Sequence, residues 1–130
     1  MAWARFEEIG AWQRARCLNQ EFWEHFAIGA FGRDFALVDQ LNRSLGSIMD
    51  NIAEGFDGGS NKEFARFLSY SQRSCSEARS QIYRSEDRGH ISPEVSLRFR
   101  NELEEIHRMI GGLIRHLRTP PSHNPGTTKH

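Results

Sequence analysis

The chain has 130 residues, which suffices for one hydrophobic core but not for two domains of ordinary size. Its 17 basic and 17 acidic side chains cancel, so no whole-molecule field draws it to nucleic acid or to an anionic membrane. A hydrophobic fraction of 38% excludes a disordered chain, and no apolar run approaches the length that spans a membrane. The N-terminus lacks the basic and apolar segments of a secretion signal, which predicts a cytoplasmic protein.

The first predicted helix begins near Phe6 and ends after Phe26, where glycines interrupt the pattern. Trp23 widens an apolar stripe at helical spacing, and the stripe consists of Phe6, Ile9, Trp12, Ala15, Leu18, Phe22 and Phe26. The second predicted helix follows Asp34, whose side chain can cap the first turn, and ends at the glycines that begin with Gly55. Its apolar seam steps by three and four residues, through Val38, Leu41, Leu45, Ile48 and Ile52.

The third predicted helix starts at Ser60 and Glu63, which have the spacing of a capping box, and it ends near Gly89. Its stripe consists of Phe64, Phe67, Ser71, Cys75, Ala78 and Ile82, flanked by Leu68. The fourth predicted helix starts at Ser92 and Pro93, because proline is favoured in a first turn that needs no amide hydrogen. Its seam consists of Phe99, Leu103, Ile106, Ile110, Leu113 and Leu117, and two prolines end it.

The connections between these four segments contain only a few residues, which predicts that consecutive helices run antiparallel. The predicted fold is therefore all-α, a single up-down-up-down four-helix bundle over residues 1–118. Residues 119–130 are rich in proline, threonine and histidine and contain no aliphatic side chain. Such a segment buries too little surface to offset the entropy of ordering, so we expect a disordered tail.

A polar row accompanies the seam of the second predicted helix. Its members are spaced by four, four and three residues and share one face, and they are Arg43, Ser47, Asn51 and Glu54. Ser74 and Glu77 lie on one face of the third predicted helix, and we expect Arg43 to reach an acid there or in a neighbouring subunit. Asn51 and Glu54 are expected to hold the glycine loop that follows. The row predicts a structural or assembly role, with a solvated stripe as the alternative.

Arginines of the third and fourth predicted helices could contact phosphates, and they are Arg66, Arg73, Arg84, Arg98, Arg108, Arg115 and Arg118. Tyr70 and Tyr83 are the candidates for stacking on bases. Acidic residues interrupt every basic stretch, so a lattice of surface salt bridges is the competing interpretation.

Signals for chemistry are sparse. Glu104 and His107 have the Glu-x-x-His spacing of di-metal bundles, but such a site needs that unit twice. Cys17 and Cys75 lack the spacing of a disulfide framework or a zinc site, which predicts reduced thiols. No histidine has a serine or cysteine that the sequence places beside it, and no glycine-rich loop follows a strand. We therefore expect no enzymatic activity, no cofactor and no small-molecule substrate, with a metal-binding bundle as a remote alternative.

The run from Gln40 to Gly55, with Asn51–Gly55 at its centre, resembles the signature of a bacterial four-helix-bundle family named after proteins encoded in 23S rRNA intervening sequences. The segments Glu63–Leu68 and Ser74–Glu77 are similar to later parts of the pattern, so the resemblance covers about residues 6–118. It implies an up-down bundle that assembles into a homo-oligomeric ring of five subunits. It also implies kinship with accessory proteins of diversity-generating retroelements. The family's function is mostly unassigned, and an RNA-binding role is inferred only from the location of its genes.

Together these observations predict a homo-oligomeric bundle that binds or scaffolds rather than catalyses. The assembly face is expected on the second predicted helix and its glycine loop, and the large aromatic residues of the first helix favour assembly. Binding of RNA or DNA through the later arginines is the alternative function.

Overall fold

The computed structural model describes residues 3–119, and in that part of the chain all regular secondary structure is helical. In chain order the elements are a 3-10 turn (Phe6–Glu8), α1 (Gly10–Glu21), a π-helical turn (Phe22–Phe26), α2 (Gly29–Arg33), α3 (Phe35–Asp57), α4 (Asn61–Asp87) and α5 (Pro93–Arg118). The predicted all-α class is confirmed. The described residues form five α-helices instead of the predicted four. Apart from Thr119, the predicted tail over residues 119–130 lies outside the described part of the chain.

The first predicted helix is divided in the structure, so its prediction as one element is wrong. Its α-helical part begins only after Ile9, whose backbone is extended at φ −76° and ψ 121°. At the other end the Ala27 N–H donates to the Phe22 carbonyl at 3.0 Å, five residues back, which is a π-type bond. The chain then turns at Gly29, whose φ of +58° favours glycine, and α2 follows. A spacing of four residues between aromatics fits both an α-helix and this wider turn, so periodicity does not separate them.

The predicted starts of the two last helices are confirmed. The Ser60 hydroxyl accepts from the Glu63 N–H, and the Ser92 hydroxyl accepts from the Val95 N–H, each at 3.1 Å. The predicted side-chain cap of α3 is wrong. Asp34 occupies the cap position, but its carboxylate turns to partners at the far end of α4 instead.

The core lies between α1, α3, α4 and α5. Helix α4 packs along both α3 and α5, and α1 contacts both α3 and α5. Fully buried side chains include Leu41, Leu45, Ile48 and Ile52 of α3, Leu68 and Ile82 of α4, and Phe99, Leu103, Ile106 and Ile110 of α5. Each such side chain stabilises the fold by about 1.5–3 kcal/mol through transfer from water. Within residues 3–119, no helix combines the length and the apolar character needed to cross a membrane.

Candidate assembly and nucleic-acid surfaces

Part of the predicted polar row forms a hydrogen-bonded network between α3 and α4. The Asn51 side-chain amide donates to the carbonyl and to the hydroxyl of Ser47, each at 2.8 Å. The Ser47 and Ser74 hydroxyl oxygens are 2.9 Å apart, which links the two helices. Nearby, the buried Ser71 hydroxyl donates to the Ile48 carbonyl at 2.6 Å. Small hydroxyl side chains therefore let α3 and α4 approach closely while satisfying their own polar groups.

The charged members of the row behave differently. Arg43 is 78% exposed and pairs with Asp39, one turn earlier on its own helix, at 2.9 Å, in place of an acid of α4. A partner four residues away is within reach without crossing to another helix. Glu54 and Glu77 are exposed, and neither has a hydrogen bond or ion pair within residues 3–119. The predicted ties to the glycine loop do not form, because the Asn51 amide turns back to Ser47 and Glu54 points to solvent.

A polar groove of about 530 Å³ runs between α3 and α4 beside this network. Its lining includes Ser44, Ser47 and Ser80 together with Arg43, Glu77 and Arg84. Arg84 donates a hydrogen bond to Gln40 across the groove. The structure thus brings Arg43 and Ser47 of the predicted row together with Glu77 of α4 on one concave surface. We call this surface the polar groove.

An aromatic patch lies next to the polar groove, at the N-terminal end of α3. Trp23 is 61% exposed and Phe35 is 78% exposed, and the two line one hollow together with Val38. Asp39 lines the same hollow, and its ion pair with Arg43 connects the patch to the polar groove. Periodicity does not mark Phe35 as exposed, because it precedes Val38 by three residues and continues the predicted seam. In the structure the buried seam of α3 begins at Leu37, and Val38 is only half-buried. We call Trp23, Phe35 and Val38 the aromatic patch.

A polar clasp fixes the backbone next to the aromatic patch. The Asp34 carboxylate lies 2.8 Å from His90 Nε2 and accepts a 2.8 Å hydrogen bond from Arg88. The His90 ring stacks on Phe31 with 4.6 Å between ring centroids and 6° between ring planes. The hydrogen bond to His90, followed by the one from Arg88, lowers the pKa of Asp34. The clasp ties the α2–α3 junction to the α4–α5 turn, and Phe35 follows directly in the chain.

Four of the seven predicted phosphate-binding arginines already have partners within the chain. Arg66 is held by Glu63 through bonds of 2.8 and 2.5 Å, Arg98 by Glu21 through bonds of 3.0 and 2.5 Å, and Arg108 by Glu105. Arg84 bonds to Gln40 as described above. Arg66, Arg98 and Arg108 therefore have the geometry of the competing interpretation, a lattice of surface salt bridges, while the partner of Arg84 is a neutral amide.

The other three, Arg73, Arg115 and Arg118, are exposed, and no carboxylate in residues 3–119 lies within ion-pair distance of them. Arg73 and Arg118 line a cleft between the N-terminal half of α4 and the C-terminal end of α5. The cleft is also lined by Lys62, Arg66, Tyr70 and Leu117, with Glu63 as its single carboxylate. We call it the basic cleft, and Arg115 lies outside its lining.

The residues considered for metal or thiol chemistry are dispersed. Glu104 is 57% exposed and pairs with Arg79 at 3.5 Å, while the backbone carbonyl of His107 accepts from a glutamine of α4. In the described part of the chain, no three histidine, cysteine or acidic side chains lie close enough to hold a metal ion. Cys17 is exposed, whereas burial raises the pKa of Cys75 to about 12.

The model of a family described as 23S rRNA-intervening sequence protein matches residues 7–112. The matched range contains the polar groove, the aromatic patch and the α4 side of the basic cleft, and it ends before Leu117 and Arg118. A search of curated proteins finds no match.

Proposed function

Because the chain belongs to the 23S rRNA-intervening sequence protein family, we propose that it is a homo-oligomeric helical scaffold that works by association and not by catalysis. The aromatic patch is the observation that carries this proposal. Trp23 and Phe35 lie side by side with 61% and 78% of their surfaces exposed, Trp23 in the π-helical turn and Phe35 at the start of α3, whose inner face is buried. Contiguous exposed aromatics mark interaction surfaces, since water solvates them poorly.

The free energy of the proposed association would come from the apolar surface that a partner buries. Burying a phenylalanine or tryptophan side chain contributes about 1.5–3 kcal/mol, and large aromatic residues act as anchors at the centre of interfaces. A stable interface needs about 800 Å² from each partner, which is about a tenth of the 7608 Å² surface of this chain. The aromatic patch alone is smaller than that, so the proposed interface extends over the adjoining polar groove.

The polar groove supplies the features expected at the rim of such an interface. Arg43 and Glu77 stand exposed on opposite helices, and Glu77 has no partner within residues 3–119. Exposed charges contribute little to affinity but select the orientation of the partner. In the proposed assembly, Arg43 and Glu77 determine the orientation in which a second copy covers Phe35. This retains the sequence-based expectation that Arg43 meets an acid of a neighbouring subunit.

The proposed unit of assembly is an antiparallel four-helix bundle made of α1, α3, α4 and α5. Support comes from the packing of α1 against both α3 and α5, which places those two helices on either side of it. We further propose a closed ring of five copies, because the family resemblance implies it and a heterologous interface closes into a ring. Two unpaired thiols, Cys17 and Cys75, support placing the protein in the reducing cytoplasm.

Size-exclusion chromatography with light scattering tests the proposal. We expect a mass of about 75 kDa for five copies of the 15.0 kDa chain. Phe35→Gln should shift the mass toward that of the monomer. Leu97→Gln, which removes an apolar side chain of 50% exposure outside the patch, should leave it unchanged. A monomeric wild-type protein over the micromolar range would refute the proposal, and so would equal behaviour of the two variants.

A further inference from the structure

The basic cleft differs in charge balance from other arginine-lined hollows of the molecule. Four cations and one carboxylate line it. The hollow that contains Arg98 also holds three glutamates, and the hollow that contains Arg108 holds two. The molecule as a whole is neutral, with 17 basic and 17 acidic side chains. Positive charge is therefore concentrated at this site in a molecule that has no net charge to attract polyanions in general.

The carboxylate of the cleft is already neutralised. Glu63 accepts two hydrogen bonds from Arg66, and this pair lies within one turn of α4. Lys62, Arg73 and Arg118 keep their charge uncompensated, since no carboxylate in residues 3–119 reaches them. Three exposed cations around one concave surface attract an anion that can touch all three.

Tyr70 organises the centre of the cleft. The guanidinium groups of Arg66 and Arg73 each lie 5.6 Å from the centroid of its ring, and its hydroxyl accepts from Arg66 at 2.9 Å. These contacts hold two long side chains near one position, so less conformational entropy is lost when a ligand binds. Tyr70 and Leu117, both half-buried, also give the cleft an apolar floor between its charged groups.

We propose that the basic cleft binds a single-stranded nucleic acid. Lys62, Arg73 and Arg118 contact its phosphates, and a base or sugar packs on Tyr70 and Leu117. The twelve residues from Lys62 to Arg73 extend about 16 Å along the helix, enough for several consecutive phosphates. Alternation of cations with an aromatic platform is typical of sites that hold single strands without reading their sequence. An acidic protein segment would use the cations but would leave the aromatic floor unexplained.

Fluorescence anisotropy with a labelled mixed-sequence 12-mer RNA tests the site in the full-length protein. Three neutralised phosphates predict a slope of about −2 for log K against log salt, or a loss of about 20-fold between 50 and 200 mM salt. The same sequence as DNA distinguishes contacts to phosphate alone from contacts to the ribose hydroxyl. Polyglutamate of similar length serves as the competing polyanion. No binding of RNA or DNA at 50 mM salt, or equally tight binding of polyglutamate, would overturn the proposal.

A matched pair of double variants locates the site. Arg73→Gln with Arg118→Gln removes two charges from the cleft and should weaken binding about 10-fold or more, with the slope reduced by about 1.4. Arg98→Gln with Arg108→Gln removes the same charge from ion-paired positions outside the cleft and should change binding less than about 2-fold. Equal losses of affinity in the two double variants would show that binding depends only on net charge, and would overturn the assignment of the basic cleft as the site. Circular dichroism verifies folding, and light scattering shows separately whether the oligomer of the proposed function is retained.

Discussion

Gly55 offers a direct measurement of how closely α3 and α4 approach. It is buried in α3, and a Cβ atom at this position would lie 2.6 Å from the Cβ of Phe67 and 3.2 Å from Cδ1 of Phe64. Real Cβ contacts essentially never fall below 3.0 Å. The Phe67 Cβ is fixed to the backbone of α4, so a side-chain rotation does not relieve the overlap. Gly55→Ala must therefore move α3 away from α4.

The magnitude follows from two opposing effects. Replacing a helical glycine by alanine stabilises a helix by about 1 kcal/mol, whereas overpacking a close-packed contact costs about 1–3 kcal/mol. Gly46 lies in the same helix, and an added Cβ there meets nothing within 4 Å. Gly46→Ala should thus show only the gain in helix stability, without a packing cost. The difference in the free energy of unfolding between the two variants isolates the packing cost, about 1–3 kcal/mol.

Thermal unfolding followed by circular dichroism, at one fixed protein concentration, measures this difference. For a chain of this size, 1 kcal/mol shifts the Tm by about 4 °C, so Gly55→Ala should melt about 4–12 °C below Gly46→Ala. A fixed concentration is needed because the Tm of any protein that assembles depends on its concentration. Equal stabilisation by the two substitutions would show that α3 and α4 do not approach as closely as the structure has them.

Three further predictions test other parts of the molecule. At pH 8 a thiol reagent should modify Cys17 rapidly and Cys75 only after unfolding, because burial raises the pKa of Cys75 to about 12; rapid modification of two thiols in the folded protein would contradict its burial. Asp34→Asn should lower the Tm at pH 6, and the difference should shrink as the pH falls below 3.8, because the folded-state pKa of Asp34 lies below that ordinary value and its contribution disappears as the pH falls through the lowered value; a Tm difference that does not shrink on acidification would exclude the ionised carboxylate as its cause. Ser71→Ala should reduce the free energy of unfolding by about 1 kcal/mol in urea titration, because its buried hydroxyl bonds to the carbonyl of Ile48; an unchanged value would mean that this bond adds no net stability.

The sequence predicts those helices whose ends are set by local chemistry. Ser60 and Ser92 act as caps in the structure because a cap needs only a hydroxyl and an amide three residues later, both visible in the sequence. Asp34 has the same local pattern but bonds to Arg88 and His90, more than fifty residues away. Competition from a distant partner is a tertiary effect that a local motif does not contain.

The contacts of the candidate surfaces are likewise of two kinds, local ones that the sequence reveals and distant ones that depend on helix packing. The ion pairs Glu63–Arg66 and Glu105–Arg108 are three residues apart and can be read from the sequence, whereas the partner of Arg98 comes from α1. Helix packing therefore determines which arginines have no acidic partner and are available to a ligand. The sequence places both Phe22 and Trp23 in the apolar stripe of the first predicted helix, but only Phe22 is buried in the structure, and Trp23 is 61% exposed.

The positions of the two proposed surfaces bear on how they would work together. In the antiparallel α3–α4 pair, Ser47 meets Ser74, so the aromatic patch lies at the level of the C-terminal half of α4. The basic cleft surrounds Tyr70 in the other half, about 20 Å away along the helix axis. A partner seated on the patch would therefore not itself cover the cleft of the same subunit. The proposed ring would present several such clefts to one strand, and once the first was occupied the others would bind at high effective concentration. On this argument Phe35→Gln, which is remote from the cleft, should weaken the binding of a long RNA while leaving that of a strand spanning one cleft unchanged.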